Sequence, residues 1–402
     1  MKKYIKNNHS LVNLPFTTLL LLISFASVNA VLFTPGLPNI AHYFSISNSA
    51  AQQTITWFLI GYAMGQLIYG PFANRFGRKP VLYAGISLQI FSSILCVFSG
   101  MIQSFPLLIV GRFLLAIGSG VGLIITFTLV SETFEPIIAT QKISYLMLAF
   151  AITPGLSIAL GGILNTHYGW MSCFYLSAIY GLALLFLVPT LTETKTTLEL
   201  DALKIKPLIR GYLTQFKNIQ LFLGGLLMGA ASCFIYVFAT LAPFIAINLL
   251  DMNSTQYGIA NLIPTLGLVI GSLLSVSYGK KHSSLEGIKL GVFISGCSII
   301  IMSLATYLHA GPLLTLFFPT MLIFLSLSLI YSNASTLAML NNPDKAGASA
   351  VMSFINMGFV TLIVISLSLF DTTAPLLPIT YIFIICLIFT IYKFFNLKNA
   401  ET

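Results

Sequence analysis

The chain has 402 residues, 57% of them hydrophobic and only 7% charged. Soluble domains carry roughly 25% charged residues, so this chain cannot clothe a water-facing surface, and a soluble enzyme or binding domain is excluded. A net charge of +9 would point to nucleic acid in a soluble protein, but in a membrane protein Lys and Arg gather on the cytoplasmic side, and the charge must be read by position.

A helix needs about 20 apolar residues to cross roughly 30 Å of hydrocarbon. In chain order, such stretches lie at 16–38, 52–72, 81–101, 105–129, 143–164, 170–190, 219–245, 256–278, 287–308, 312–339, 348–369 and 376–395. They predict an all-α integral membrane protein with twelve transmembrane helices, because a backbone in lipid must satisfy its own hydrogen bonds. Strands of a membrane barrel would alternate polar and apolar residues, and these stretches do not. Val28-Asn29-Ala30 has the form of a signal-peptidase site. The apolar run continues to Leu37, however, and cleavage would leave an odd number of spans, so the first stretch is expected to stay.

With the N-terminus inside, the inner segments collect every Lys and Arg of the 19 except Arg112. The outer loops carry only Asp251 and Asp371. This split predicts cytoplasmic N- and C-termini in a plasma membrane, a bacterial inner membrane by the same bias. The five cysteines stand singly in apolar stretches and read as small core hydrophobes.

The inner turn at 70–80 reads "GPFANRFGRKP". Gly70 and Pro71 are expected to end a helix, and Gly77 to take a left-handed turn. Arg75, Arg78 and Lys79 suit anionic headgroups or exposed helix-end carbonyls. The spacing from Gly65 to Gly77-Arg78-Lys79 recurs from Gly267 to Gly279-Lys280-Lys281, half a chain later. Between the copies lies the longest polar stretch. Two six-helix bundles, 1–190 and 218–402, are therefore predicted, joined by a cytoplasmic linker at 191–217, with a substrate site near the bilayer midplane between them.

"GQLIYGPFANRFGRKPVL" resembles the loop 2–3 signature of the major facilitator superfamily, with Gly70, Asn74, Arg75, Gly77, Arg78 and Lys79 matching in order. "GRFLLAIGSG" at 111–120 resembles the family's span 4 motif, centred on an arginine. "TPGLSIALGGIL" at 153–164 resembles its span 5 helix-packing motif, with Pro154, Gly161 and Gly162 in place. "TPGLP" at 34–38, "YGW" at 168–170 and "LTET" at 191–194 are similar to the Bcr/CflA-type drug-efflux subfamily. The resemblance implies a secondary transporter that works by alternating access and exports small amphiphilic compounds, with protons as the candidate coupling ion. It also implies a gating role for the 2–3 loop, in which Arg75 could pair with Glu132 at the end of span 4. Glu132 reads equally as a solvated helix-end carboxylate.

The sequence departs from that pattern in places. No Asp or Glu lies deep in a span, and Val31 stands where proton-coupled relatives usually carry an acid. Ile158 replaces the span 5 motif's second proline, and Met171 the arginine that often follows Gly-Trp. These departures leave open a second reading, an importer or facilitator of a nutrient or metal-chelate with the same fold.

For the cavity, the candidates are Asn29, Arg112, Tyr236 and Asn356, with Gln66, Gln89 and Asn261 as further polar residues inside spans. Each could instead be a helix–helix hydrogen bond, and Arg112 could snorkel to the interface. An apolar cavity rich in Phe and Met suits an amphiphilic or aromatic substrate better than a sugar. No Gly-Lys-Ser/Thr phosphate loop is present, so ATP is not expected to drive the protein. No cofactor, metal, catalytic residue or nucleic-acid partner is expected. The partners are a small molecule and the lipid bilayer, and the chain is read as a monomer.

Overall fold

The structure is a computed structural model that describes residues 14–195, 197–339, 342 and 345–401; Lys2, Lys3 and Lys6 lie outside them. Every regular element among these residues is helical. Spans 1 to 6 are Phe16–Tyr43, Asn48–Phe76, Arg78–Met101, Phe105–Thr133, Pro136–Tyr168 and Met171–Thr190. A helix at Ile205–Phe216 follows in the linker. Spans 7 to 12 are Ile219–Leu249, Ser254–Gly279, Ser284–Tyr307, Leu313–Met339, Lys345–Leu367 and Leu376–Glu401. Among the described residues eleven helices are long and apolar enough to cross a membrane. Span 2 is the twelfth, 29 residues long, and carries Gln52, Gln53, Gln66 and Asn74 among its apolar residues.

Several helices outrun their apolar stretches. Span 5, expected at 143–164, runs over Pro136–Tyr168, because a helix need not stop where hydrocarbon does. Span 2 also corrects an expectation. Gly70 and Pro71 do not end it; the helix continues to Phe76, where Gly77 takes φ +97°. Proline lacks the N–H that would pair with the carbonyl four residues back, and that carbonyl, on Leu67, instead accepts the hydroxyl of Tyr212 at 2.8 Å. The linker helix thereby repairs the defect in span 2.

Span 1 breaks. Its α-helix ends at Val31, a tight turn covers Thr34–Gly36, and a short helix resumes at Leu37. The two prolines of "TPGLP" enforce this.

The two bundles repeat the same packing. Gly61 and Gly65 of span 2 approach the backbone of span 4 at Phe113 and Ile117. Gly267 and Gly271 of span 8 approach span 10 at Met321 and Leu325. Glycine here removes the Cβ that would hold the helices apart. Spans 3, 6, 9 and 12 carry large exposed apolar side chains such as Phe91, Phe186, Phe293 and Phe389, the surface expected toward lipid. Cys297 of span 9 and Cys386 of span 12 belong to it as well; of the five cysteines only Cys96, Cys173 and Cys233 are buried.

The bundles are joined at the end away from the linker. Ser49 bonds to the Ser368 carbonyl at 3.1 Å and Gln52 to Thr372 at 3.1 Å. Asn165 donates to Ser254 at 2.8 Å, and Ser254 to the Pro35 carbonyl at 3.1 Å. Spans 5 and 8 touch backbone to backbone, Gly162 against Ser254 and Gly258 against Ile158. One apolar core runs through this region from Phe33, Leu37 and Phe58 into Phe234, Phe238 and Phe317. A second, with Leu19, Phe25, Leu82, Ile125 and Leu129, belongs to the first six spans alone at the linker end.

A Cβ on Gly162 would overlap the Ser254 carbonyl, whereas one on Gly161 would overlap Leu32 within the first bundle. Gly162→Leu is therefore expected to hold the two bundles apart at the far end. A reporter cysteine at Thr166 in a cysteine-free background should then react several-fold faster with an impermeant maleimide. Gly161→Ala should instead lower thermal stability, by about 1–3 kcal/mol, without raising that labelling.

Candidate transport site and gating loop

Arg112 is only 1% exposed. Its guanidinium sits between the rings of Phe33 and Phe58, 4.0 and 4.4 Å from their centroids. It donates to the carbonyls of Asn29 (2.8 Å), Ala30 (3.3 Å) and Thr54 (3.2 Å). The break in span 1 explains the first two. A helix ending at Val31 strands the carbonyls of its last turn, which cannot stay unpaired in hydrocarbon. The planar fork of arginine reaches two of them at once. Thr34 donates to a third, on Val31, at 2.8 Å. Arg112 therefore orders helix backbones and does not snorkel, and its donors are not turned to the space between the bundles.

Asn29 is likewise placed inside the first bundle. Its amide nitrogen donates to the Phe25 carbonyl at 2.7 Å, and its oxygen accepts Gln89 at 2.9 Å and the hydroxyl of Ser177. Gln89 also donates to Ser93 at 3.0 Å. This buried knot ties spans 1, 3 and 6 and, like the bonds of Arg112, lies within the first bundle. Asn261 is also internal, bonded to the Tyr257 carbonyl where span 8 bends.

Tyr236 and Asn356 both neighbour Tyr331. Asn356 donates to the hydroxyl of Tyr331 at 3.4 Å, and the hydroxyls of Tyr62, Tyr236 and Tyr331 lie within electrostatic reach of one another. Gln66 stands one turn from Tyr62, within electrostatic reach of its hydroxyl. The cluster draws on spans 2, 7, 10 and 11, near the middle of their lengths, and so bridges both bundles. It holds no charged side chain. Two of its buried amide atoms, Gln66 Nε2 and Asn356 Oδ1, have no partner within the protein, and such groups call for an explanation. Tyr62 and Tyr331 were missed in the sequence because tyrosines are common in the chain, and only the fold shows which ones converge.

The 2–3 loop is built around Arg78, 3% exposed. Its Nε and Nη2 bond to the two oxygens of Glu132 at 3.1 and 2.5 Å, and its Nη1 to the Ala73 carbonyl and Asn74 Oδ1 at 2.5 and 3.2 Å. The expected partner of Glu132, Arg75, instead lies over the Phe76 ring at 5.8 Å. Arg78 wins because it opens span 3 and points inward beneath the end of span 4. A Cβ on Gly70 would meet nothing within 4 Å, so that glycine has no role in the contact.

The linker completes the loop. Glu193 accepts the backbone N–H groups of Arg78 (3.0 Å), Lys79 (2.9 Å) and Lys195 (3.0 Å), a carboxylate at the N-terminus of span 3, where the helix dipole favours it. Thr194 donates to Glu132 at 2.5 Å, Glu199 N–H to the Asn74 carbonyl at 3.0 Å, and Lys79 Nζ to the Pro189 carbonyl at 3.2 Å. "LTET" thus acts as a strap across the basic turn. Gly77 must be glycine here, both for its φ and because a Cβ would lie 3.0 Å from the Glu193 carboxylate. The second copy has no equivalent: Lys280 and Lys281 are exposed, and the turn is closed by a capping box between Ser283 and Glu286.

The model of the Major Facilitator Superfamily matches residues 19–368, and the chain belongs to that family. It is 24% identical over 341 residues to multidrug resistance protein D of Escherichia coli strain K12, covering 83% of each chain. It is 23% identical to a bicyclomycin resistance protein homolog of Haemophilus influenzae, covering 68% of this chain and 69% of that one. The D-xylose-proton symporter crystal structure matches with a TM-score of 0.76 at 16% identity, over 94% of this chain and 96% of that one, which shows the shared fold. The chain is thus a multi-span membrane transporter and not an enzyme.

Arg112→Lys keeps the charge but loses the fork, and is expected to destabilise the purified protein by at least about 2 kcal/mol through unpaired carbonyls, read as a lowered thermal midpoint. A residue that only contacted substrate would leave that midpoint unchanged.

Burial works to raise the carboxyl of Glu193, but the N–H groups of Arg78, Lys79 and Lys195, with the Arg78 charge, hold it below the ordinary glutamate value. Its contribution to stability is therefore full above the unfolded pKa of about 4.3 and is lost as pH falls through the lower folded value. The difference in thermal midpoint between wild type and Glu193→Gln should stay constant from pH 8 to 5 and shrink only at more acidic pH.

Proposed function

We propose that the chain is a secondary efflux transporter for small amphiphilic or aromatic compounds, rocking its two bundles about the Tyr62–Tyr236–Tyr331–Asn356 cluster. The cluster is the observation that carries this reading. Tyrosine rings offer apolar faces to an aromatic or cationic body, and two unpaired amide atoms supply one donor and one acceptor for orientation. Drug-resistance names among the relatives support the direction of transport. On this reading 1–190 and 218–402 are the moving units and 191–217 is the linker. Both termini face the cytoplasm in the inner membrane, and the chain works as a monomer.

The joined far end and the separate core at the linker end fit a state open toward the cytoplasm. The Arg78–Glu132–Glu193 network then ties spans 2, 3, 4 and 6 into one rigid block. Asn74, Arg75, Gly77 and Lys79 serve the gate as turn, cap and surface charge, Gly70 lies within the helix without a part in it, and Arg75 is left free to meet the second bundle when the linker end closes. Proton coupling has weak support, because both oxygens of Glu132 are engaged by Arg78 and no carboxylate lies at the tyrosine cluster.

The second reading, uptake of a nutrient, is favoured by that lack of a carboxylate at the cluster. A sugar is the least suited cargo, since its many hydroxyls need more paired polar groups than the cluster offers.

Expression in a drug-sensitive bacterium should raise resistance to hydrophobic aromatic cations at least fourfold, and Tyr236→Ala and Asn356→Ala should each abolish the gain at unchanged membrane abundance. No change in drug accumulation, together with rescue of growth on one limiting nutrient, would establish the uptake reading instead.

A further inference from the structure

The linker helix Ile205–Phe216 has two unlike faces. One is committed to the bundles. Tyr212 bonds to Leu67 of span 2, Gln215 exchanges bonds with Asn342, and Phe216 packs edge-on against Phe354 of span 11, ring centroids 6.0 Å apart. The other face is open. Lys206, Ile209, Arg210, Leu213, Thr214 and Lys217 recur at helical spacing along it and line a groove of about 540 Å³. Ile209 and Leu213 are more than half exposed.

Composition decides what covers this face. Between Asp201 and Asp251 the sequence holds no acid. Lys204 is paired with Asp201 at 2.9 Å, whereas Lys206, Arg210 and Lys217 make no ion pair among the described residues. A wholly aqueous face would not string two large aliphatic side chains among three cations, and a face sunk in hydrocarbon would not carry the cations. The mixture suits the boundary between headgroups and acyl chains. Position agrees, since span 7 begins at Ile219, two residues after Lys217.

We propose that this face binds the phosphate headgroups of anionic phospholipids, with Lys206, Arg210 and Lys217 on the phosphates and Ile209 and Leu213 in the upper acyl region. The site fixes the helix against the leaflet on the linker side while its other face spans both bundles. The proposal rests on the chain being a membrane transporter, not on efflux, so failure of the drug assays leaves it intact.

The test titrates the detergent-solubilised full-length protein with fluorescent phosphatidylglycerol and with phosphatidylcholine. Phosphatidylglycerol should bind selectively. Lys206→Gln and Arg210→Gln should each weaken it about fivefold, and the triple variant with Lys217→Gln about a hundredfold. Lys280→Gln/Lys281→Gln, which removes two exposed cations elsewhere, should leave it unchanged. Ile209→Ser/Leu213→Ser should weaken the lipid several-fold. Three results would overturn the proposal: equal binding of phosphatidylcholine, equal weakening by the Lys280/Lys281 variant, or displacement of the lipid by low-millimolar inorganic phosphate, which marks a plain anion site. The single variants keep the test decisive if the triple variant misfolds.

Discussion

A peptide group inside a bilayer has no water to turn to, and the architecture of this transporter follows from where its helices leave such groups unpaired. Span 1 breaks at Thr34–Gly36, and Arg112 reaches across from span 4 to take the stranded carbonyls of Asn29 and Ala30. Span 2 carries Pro71, and Tyr212 takes the carbonyl that this proline cannot serve. In both places a defect in one helix is repaired by a side chain from another. The repair then fixes the neighbour's position more firmly than apolar packing would, since lipid is as apolar as the helices it surrounds.

The same logic separates the two bundles. Their glycine contacts repeat, span 2 on span 4 and span 8 on span 10, as expected of a duplicated unit. Their basic turns do not. Arg78 is buried and bonded to Glu132, with Glu193 closing the turn from above, while Lys280 and Lys281 stand in the open. One copy has become a strapped block and the other has stayed loose. A hinge between a stiff unit and a less constrained one suits the rocking proposed about the tyrosine cluster.

The fold was legible because hydropathy and charge placement are long-range signals. All spans but the second stand out alone, and a miscounted helix would have thrown Arg78 and Glu132 to opposite faces, where the structure brings them together. The site was legible only in part. Tyr236 and Asn356 were singled out and both neighbour Tyr331, but Tyr62 and Tyr331 carry no local mark that distinguishes them from other tyrosines. Asn29 and Arg112 were read as cavity residues because a polar group in a span looks alike whether it faces a cargo or a carbonyl. The partner decides, and the partner lies on another helix. Arg75 and Arg78 differ by less than one turn, so which meets Glu132 depends on where span 2 ends, and Pro71 misplaced that end. The linker helix was hidden in a stretch read as merely polar, although Leu208, Tyr212 and Phe216 recur there at helical spacing.

The join at the far end has a further consequence. Its closest approaches are backbone against backbone, Gly162 on Ser254 and Gly258 on Ile158, with hydroxyls and amides at the margin and no ionised group among them. These closest contacts carry no charge for salt to screen, so the fit of the seam should change little between brackish and fresh surroundings. Its strength comes instead from how closely the two backbones fit, so an added methyl group, more than any change in the medium's ions, is what would pry it loose.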